Sequence, residues 1–168
     1  VTIRNASVSD LDTINDIYNH YVLNTAITFD YDPWSIQRRQ AWFEKLSDSD
    51  GYYHVLVKED PHGHVIGFAY NGEFREKLAY KISSEITIYL HHECQAKGMG
   101  SELMAALLEK MSSSPIRRAY SVITLPNAAS LRLHEKFGFT QVGYLTDVGY
   151  KFEQYYSVAI LERALVTD

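Results

Sequence analysis

Between a run of alternating side chains, Glu85 to Leu90, and an apolar periodic run, Ser101 to Met111, stand the residues Gln95-Ala96-Lys97-Gly98-Met99-Gly100. That order predicts a strand, a tight loop and a helix N-terminus. Such a loop turns several backbone N–H groups toward one point, where the positive end of the helix dipole adds to them, and so suits a phosphate or pyrophosphate. Gly98 and Gly100 admit positive φ and a close approach of the ligand. The same joint also serves as a plain packing turn, so the loop by itself leaves both readings open. No Gly-Lys-Ser/Thr closes it, which excludes a nucleotide P-loop. Other chemistry-bearing groups carry less. His91-His92-Glu93-Cys94 has metal-ligating residue types, but consecutive residues rarely converge on one ion without distant partners, and no metal is expected there. His62 and His64 read as turn residues with no third ligand, and no His and acid arrangement can be argued around Cys94 as a nucleophile.

The elements that must position this loop follow from periodicity. Thr2 to Arg4 reads as a strand, Ser7 to Asp10 as capping residues, and Leu11, Ile14, Ile17, Tyr18, Tyr21 and Val22 as one apolar helix face. The aromatic-rich segment Asn24 to Trp34 has no helical period and is either the wall of a pocket or a lid on the core. Ser35 caps a second helix with Trp42, Phe43 and Leu46 inward. Tyr52 to Lys58 and Val65 to Tyr70 form a hairpin around Asp60-Pro61-His62-Gly63. Ala79 to Leu90 alternates, with Ile86, Ile88 and Leu90 on one face and Glu85, Thr87 and Tyr89 on the other. After the helix of Leu103, Met104, Leu107, Leu108 and Met111 come a buried strand, Ala119 to Leu125, and a helix capped by Asn127 and ended by Gly138. Phe139 to Thr146 and Phe152 to Leu161 are the last strands. The expected fold is a mixed central β-sheet flanked by helices, α/β in class, as one domain over residues 1–168.

Composition agrees with a folded domain: 168 residues, 46% hydrophobic and 22% charged. A net charge of −5, with no basic stripe, argues against nucleic acid as a partner. A single cysteine, Cys94, suits a reducing compartment, and the sequence has no apolar run of the ~20 residues that a membrane span needs. The expectation is a cytoplasmic protein with no membrane partner.

Two motifs then resemble a known family. Gln95-x-x-Gly98-x-Gly100 is similar to the Arg/Gln-x-x-Gly-x-Gly/Ala signature of the GCN5-related N-acetyltransferase (GNAT) superfamily, and Asn127-x-x-Ser130-x-x-Leu133-His134-x-x-Phe137-Gly138-Phe139 looks like the second half of its cofactor region. Tyr18-Asn19, Leu125-Pro126-Asn127 and Val148-Gly149-Tyr150-Lys151-Phe152 resemble the phosphinothricin N-acetyltransferase branch. The resemblance implies a single-domain GNAT fold and transfer of an acetyl group from acetyl-CoA to the α-amino group of phosphinothricin, methionine sulfoximine or methionine sulfone. It also implies direct attack in a ternary complex and a homodimer.

Residue by residue, the resemblance places the pyrophosphate on Gln95, Ala96, Lys97, Gly98, Met99 and Gly100, with Gln95 where many relatives have Arg, and the pantetheine arm along the backbone of Ile88, Tyr89 and Leu90. It makes Glu85 the general base for the amine and His134 either the acid that protonates the thiolate or a base. Asn127 adds a hydrogen bond to cofactor or substrate. Phe29 forms an apolar wall for the acceptor, Arg75 binds its polar head, and Ile86 and Thr87 flank Glu85. Glu153-Gln154-Tyr155 departs from the Gly-Arg-Trp of several relatives, which bears on the substrate mouth or the subunit contact. An aminoglycoside, a polyamine or a protein N-terminus as acceptor, and a non-catalytic acyl-CoA sensor, are the alternatives.

Overall fold

The computed structural model describes residues 2–96 and 98–165, so the expected phosphate contact of Lys97 lies outside the described residues. Seven strands form one sheet: β1 (Thr2–Asn5), β2 (Val55–Glu59), β3 (Val65–Glu73), β4 (Ser83–Leu90), β5 (Arg118–Thr124), β6 (Thr140–Lys151) and β7 (Gln154–Ala164). Their spatial order is β1-β2-β3-β4-β5-β7-β6, and every neighbouring pair is antiparallel except β4 and β5. Four helices cover the two faces: α1 (Leu11–Asn24), α2 (Ile36–Ser47), α3 (Met99–Ser112) and α4 (Ala128–Lys136).

Alternation along the strands sorts the core into two layers. Leu56, Ala69 and Ile86 face α3, whose Leu103, Met104, Leu107 and Met111 have no exposed surface. Val57, Phe68 and Tyr89 face the other way, onto Leu11, Ile14, Ile17, Tyr18, Tyr21 and Val22 of α1. The expected caps are present. Ser35 Oγ accepts from the Arg38 N–H at 3.2 Å, Asn127 Oδ1 accepts from the Ser130 N–H at 3.1 Å, and Gly138 leaves α4 with φ +81°.

Several boundaries differ from the sequence reading, among them the start of β2, at Val55 rather than Tyr52. Leu78–Ile82 is a 3-10 turn rather than the start of β4; Leu78 and Ile82 are exposed, so their apolar spacing serves no sheet face. β3 continues to Glu73, and β6 continues to Lys151 through an irregular stretch between Leu145 and Gly149, where Asp147 takes φ +50°. The tight turn into β7 is Phe152-Glu153, with φ +52° and +59°, in place of the expected strand start at Phe152.

Candidate active site

β4 and β5 are paired at three positions, Ser83↔Arg118, Ser84↔Ala119 and Glu85↔Tyr120. Beyond Glu85 they part, β4 staying with β3 as far as Leu90 and β5 staying with β7 as far as Thr124. The wedge between them is a cavity of about 770 Å³, with the Gly98–Gly100 loop at one end and α4 along one side. Its existence is a matter of register: a parallel pair that stops after three residues leaves the following backbone groups of both strands without a ladder.

Backbone direction fixes which groups face the wedge. The His91 N–H bonds Ile66 O on β3 at 2.8 Å, whereas Ile82 O accepts from Arg117 on the β5 side at 2.8 Å. Since backbone polar groups alternate along a strand, those of Ile86, Ile88 and Leu90 point into the wedge. Leu90 O accepts from the Tyr21 hydroxyl at 2.5 Å, and the hydroxyl oxygen in turn accepts from Gln95 Nε2 at 2.8 Å. Gln95 thus ties the start of the loop to α1.

Glu85 sits at the last paired step, half-buried, lining both the wedge and a smaller recess of about 190 Å³ toward α2, where Trp42, Tyr53, Tyr70 and Thr87 are its neighbours. Burial pushes its carboxyl pKa up, and the charge of Arg75 opposes that shift. His134 is buried on α4 with its ring edge-on to Phe139, centroids 5.1 Å apart. Its Nδ1 lies 2.7 Å from Ser130 O, which assigns the proton to Nδ1 and leaves the Nε2 lone pair free. Burial lowers its pKa, the Ser130 bond working against the shift, so the neutral ring is favoured.

Of the residues expected at the site, Glu85, Ile86, Thr87, Ile88, Tyr89, Leu90, Gln95, Gly98, Gly100, Asn127 and His134 all line the wedge. Ala96 and Met99 belong to the loop and the first turn of α3 without lining it. Phe29 lies instead against Gly149, so closely that a Cβ built there would sit 2.2 Å from its ring. Arg75 is exposed over the Phe74 ring at 5.1 Å, and Phe74 in turn stacks on Tyr120. The aromatic segment proves to be a wall as well as a strap: Ile27 and Thr28 line the wedge, while Lys151 Nζ donates to Thr28 O at 2.9 Å and to Val22 O at 2.7 Å.

Sequence reasoning missed Tyr21, which reads as one more apolar-face residue of α1, and Arg132 and Lys136, which line the wedge. Their spacing of four on α4 was the available signal, since it puts both cations on one face. Lys136 Nζ also donates to Ser101 Oγ at 3.2 Å, across to the first turn of α3. Residues 91–94, expected only rarely to converge without distant partners, do come partly together. Cys94 N–H bonds His91 O at 2.8 Å, and this turn brings one ligand atom each of His91, His92 and Glu93 within 4.8 Å of one another.

Comparison with known proteins agrees with this geometry. The model of the acetyltransferase (GNAT) domain matches residues 3–160. A phosphinothricin N-acetyltransferase of Streptomyces coelicolor is 39% identical, over 98% of this chain and 96% of its own length. An L-methionine sulfoximine/L-methionine sulfone acetyltransferase of Pseudomonas aeruginosa is 32% identical, over 96% of this chain and 92% of its own. Among solved structures, a phosphinothricin acetyltransferase of the GNAT superfamily from Sinorhizobium meliloti, in complex with acetyl-CoA, superposes with a TM-score of 0.92 at 31% identity, over 97% of this chain and 87% of its own.

Proposed function

The chain belongs to the acetyltransferase (GNAT) family, and from that premise we propose that it acetylates the α-amino group of a small amino-acid analogue of the phosphinothricin, methionine sulfoximine or methionine sulfone kind, with acetyl-CoA as co-substrate. The observation that carries the reading is the parting of β4 and β5 directly after Glu85, which sets a half-buried carboxylate at the apex of a wedge whose far end is a glycine loop. The residues present fit acetyl-CoA. Gly98 at φ +95° has open space where a side chain would stand, and Gly100 faces Leu133 so closely that an added Cβ would lie 3.3 Å away, so the loop backbone stays bare for a pyrophosphate. Arg132 and Lys136 add positive charge to that lining, where Gln95 supplies none.

Acetyl-CoA supplies an activated thioester acyl group; the chain's task is to orient it, present the amine and move protons. The wedge-facing backbone of Ile88 can pair with an extended arm as an added strand would, and an N–H there polarises an acyl carbonyl. As the new C–N bond forms and the C–S bond breaks, the amine must lose a proton and the thiolate must gain one. An α-amino group has a pKa of roughly 8, so at neutral pH it arrives mostly protonated. Glu85 takes that proton, directly or through one water, and its raised pKa makes it a better acceptor than a solvated carboxylate. His134 offers Nε2 as a lone pair toward the same cavity; it delivers a proton to sulfur only after first receiving one at that atom. The charge of Arg75 opposes the upward shift of Glu85, and the family resemblance is what assigns this arginine to an anionic acceptor head.

The same reading includes a homodimer in a reducing, cytoplasmic setting. β6 is an edge strand exposed along nearly its whole length, and Val142, Tyr144, Leu145, Val148 and Tyr150 leave apolar surface uncovered there, as does Tyr155 on β7. Among the described residues no helix is long and apolar enough to cross a membrane. The test is thiol release from acetyl-CoA with methionine sulfone, phosphinothricin, common amino acids, an aminoglycoside and spermidine. Release is expected with the first two; none with either, beside good release with a polycation, overturns the acceptor assignment.

A further inference from the structure

The structure assigns a second binding site, for a divalent transition-metal ion of the Zn²⁺ or Ni²⁺ kind, to the turn His91-His92-Glu93 at the end of β4. The donors are two imidazoles and a carboxylate, the set that such borderline ions take, and their ligand atoms lie within 4.8 Å of one another in the structure without an ion. For a metal bound at about 2.1 Å to each donor, tetrahedral ligand atoms stand roughly 3.4 Å apart. The turn is therefore open by an ångström or so, which side-chain rotation at these surface positions covers: His92 and Glu93 are exposed.

A third imidazole makes the cluster more than a chance run. His20, in the last turn of α1, stacks face to face on His92 with centroids 3.7 Å apart and planes 6° apart, and His91 lies on His92 at 4.5 Å with planes 23° apart; since an ion binds in the plane of each imidazole, ligation turns the rings of His91 and His92 out of this stack, which their place on a surface turn allows. Three of the chain's 7 histidines thus meet at one point on two different elements. Glu93 adds negative charge, its carboxylate 3.9 Å from His92 Nε2. Binding replaces one weak bond, the Glu93 N–H to His91 Nδ1 contact at 3.2 Å. Three protein donors leave a coordination position for water or for His20. The site begins four residues before Gln95, and with His20 in the fourth position the ion would join the last turn of α1 to this turn. This inference is independent of the acetyl-transfer reading, because the donors lie outside the wedge lining.

The experiment is calorimetric titration of the full chain, free of any polyhistidine tag, with ZnCl₂, NiCl₂ and MgCl₂ separately at pH 7.5 and pH 5.5. The expected result is one Zn²⁺ or Ni²⁺ per chain with Kd of roughly 1–100 μM, no Mg²⁺ binding, and about tenfold or greater weakening at the lower pH as the imidazoles protonate. His91→Ala and His92→Ala should each weaken binding about tenfold or more, with thermal unfolding unchanged in the absence of metal. His62→Ala/His64→Ala, which removes the other histidine pair, should leave binding as it was. Absence of Zn²⁺ and Ni²⁺ binding overturns the proposal. So does binding that survives His91→Ala and His92→Ala, or that is lost in His62→Ala/His64→Ala.

Discussion

Glu85 owes its proposed chemistry to where it stands, at the last rung that β4 and β5 share. Burial raises its pKa, so between the ordinary carboxyl value of 4.5 and the raised one the folded chain holds a proton that the unfolded chain has lost. Its contribution to stability is therefore present below pH 4.5 and lost as pH rises through the folded pKa. Glu85→Gln, which cannot ionise, should unfold at higher denaturant than the parent at pH 8, with the gain shrinking toward pH 4.5; equal midpoints at both pH values would contradict the burial argument. His134 sits in a motif with fixed spacing, whereas Glu85 was placed by resemblance, as the carboxylate on the strand leading to the loop; both line the wedge. Phe29 and Arg75 were placed by resemblance alone, and the structure puts them against Gly149 and Phe74. Tyr21 was invisible as a site residue because a tyrosine on an apolar helix face reads as core until its hydroxyl is seen on Leu90 O.

Among the elements, the order and type of all seven strands and four α-helices could be read from periodicity, caps and turn residues, and the parallel β4/β5 pair could not. Nothing in a side-chain pattern says that two strands stop pairing after three residues, yet that splay makes the cavity. β6 was cut short because Asp147 and Gly149 read as a break where the chain makes only an irregularity within the strand, and the true turn at Phe152-Glu153, with positive φ at both residues, carries no strong turn signal. The extension matters, since it carries Lys151 under the aromatic segment. Lys151 is 3% exposed and its Nζ satisfies two carbonyls, Val22 O at the end of α1 and Thr28 O beside the wedge. Lys151→Met leaves both without that donor and should cost about 1–3 kcal/mol of stability. Because Thr28 lines the wedge and the glycine loop does not depend on it, KM for the acceptor should rise more than KM for acetyl-CoA. Unchanged unfolding, or a loss confined to acetyl-CoA, would show that the strap does not rest on this lysine.

At the scale of the molecule, the two features left open are the apolar hairpin and the direction of proton flow. A monomer that keeps Tyr144, Leu145, Val148, Tyr150 and Tyr155 in water carries a large apolar surface along the β6 edge of its sheet. Leu145→Asp should shift the mass measured by light scattering from twice 19.3 kDa to once that value, and a parent that already elutes as a monomer would remove the dimer from the account. Net charge and composition argue only about the class of partner, and no residue pattern in one chain shows what a second copy covers. The most direct test of the whole is kcat/KM for methionine sulfone, for the parent and for Glu85→Gln, from pH 6 to pH 10, with acetyl-CoA affinity measured alongside. Glu85 as general base predicts unchanged acetyl-CoA affinity and a rate loss of roughly 10²–10⁴-fold below the amine pKa of roughly 8, narrowing above it where the amine is already neutral. Superimposable pH–rate profiles would contradict it.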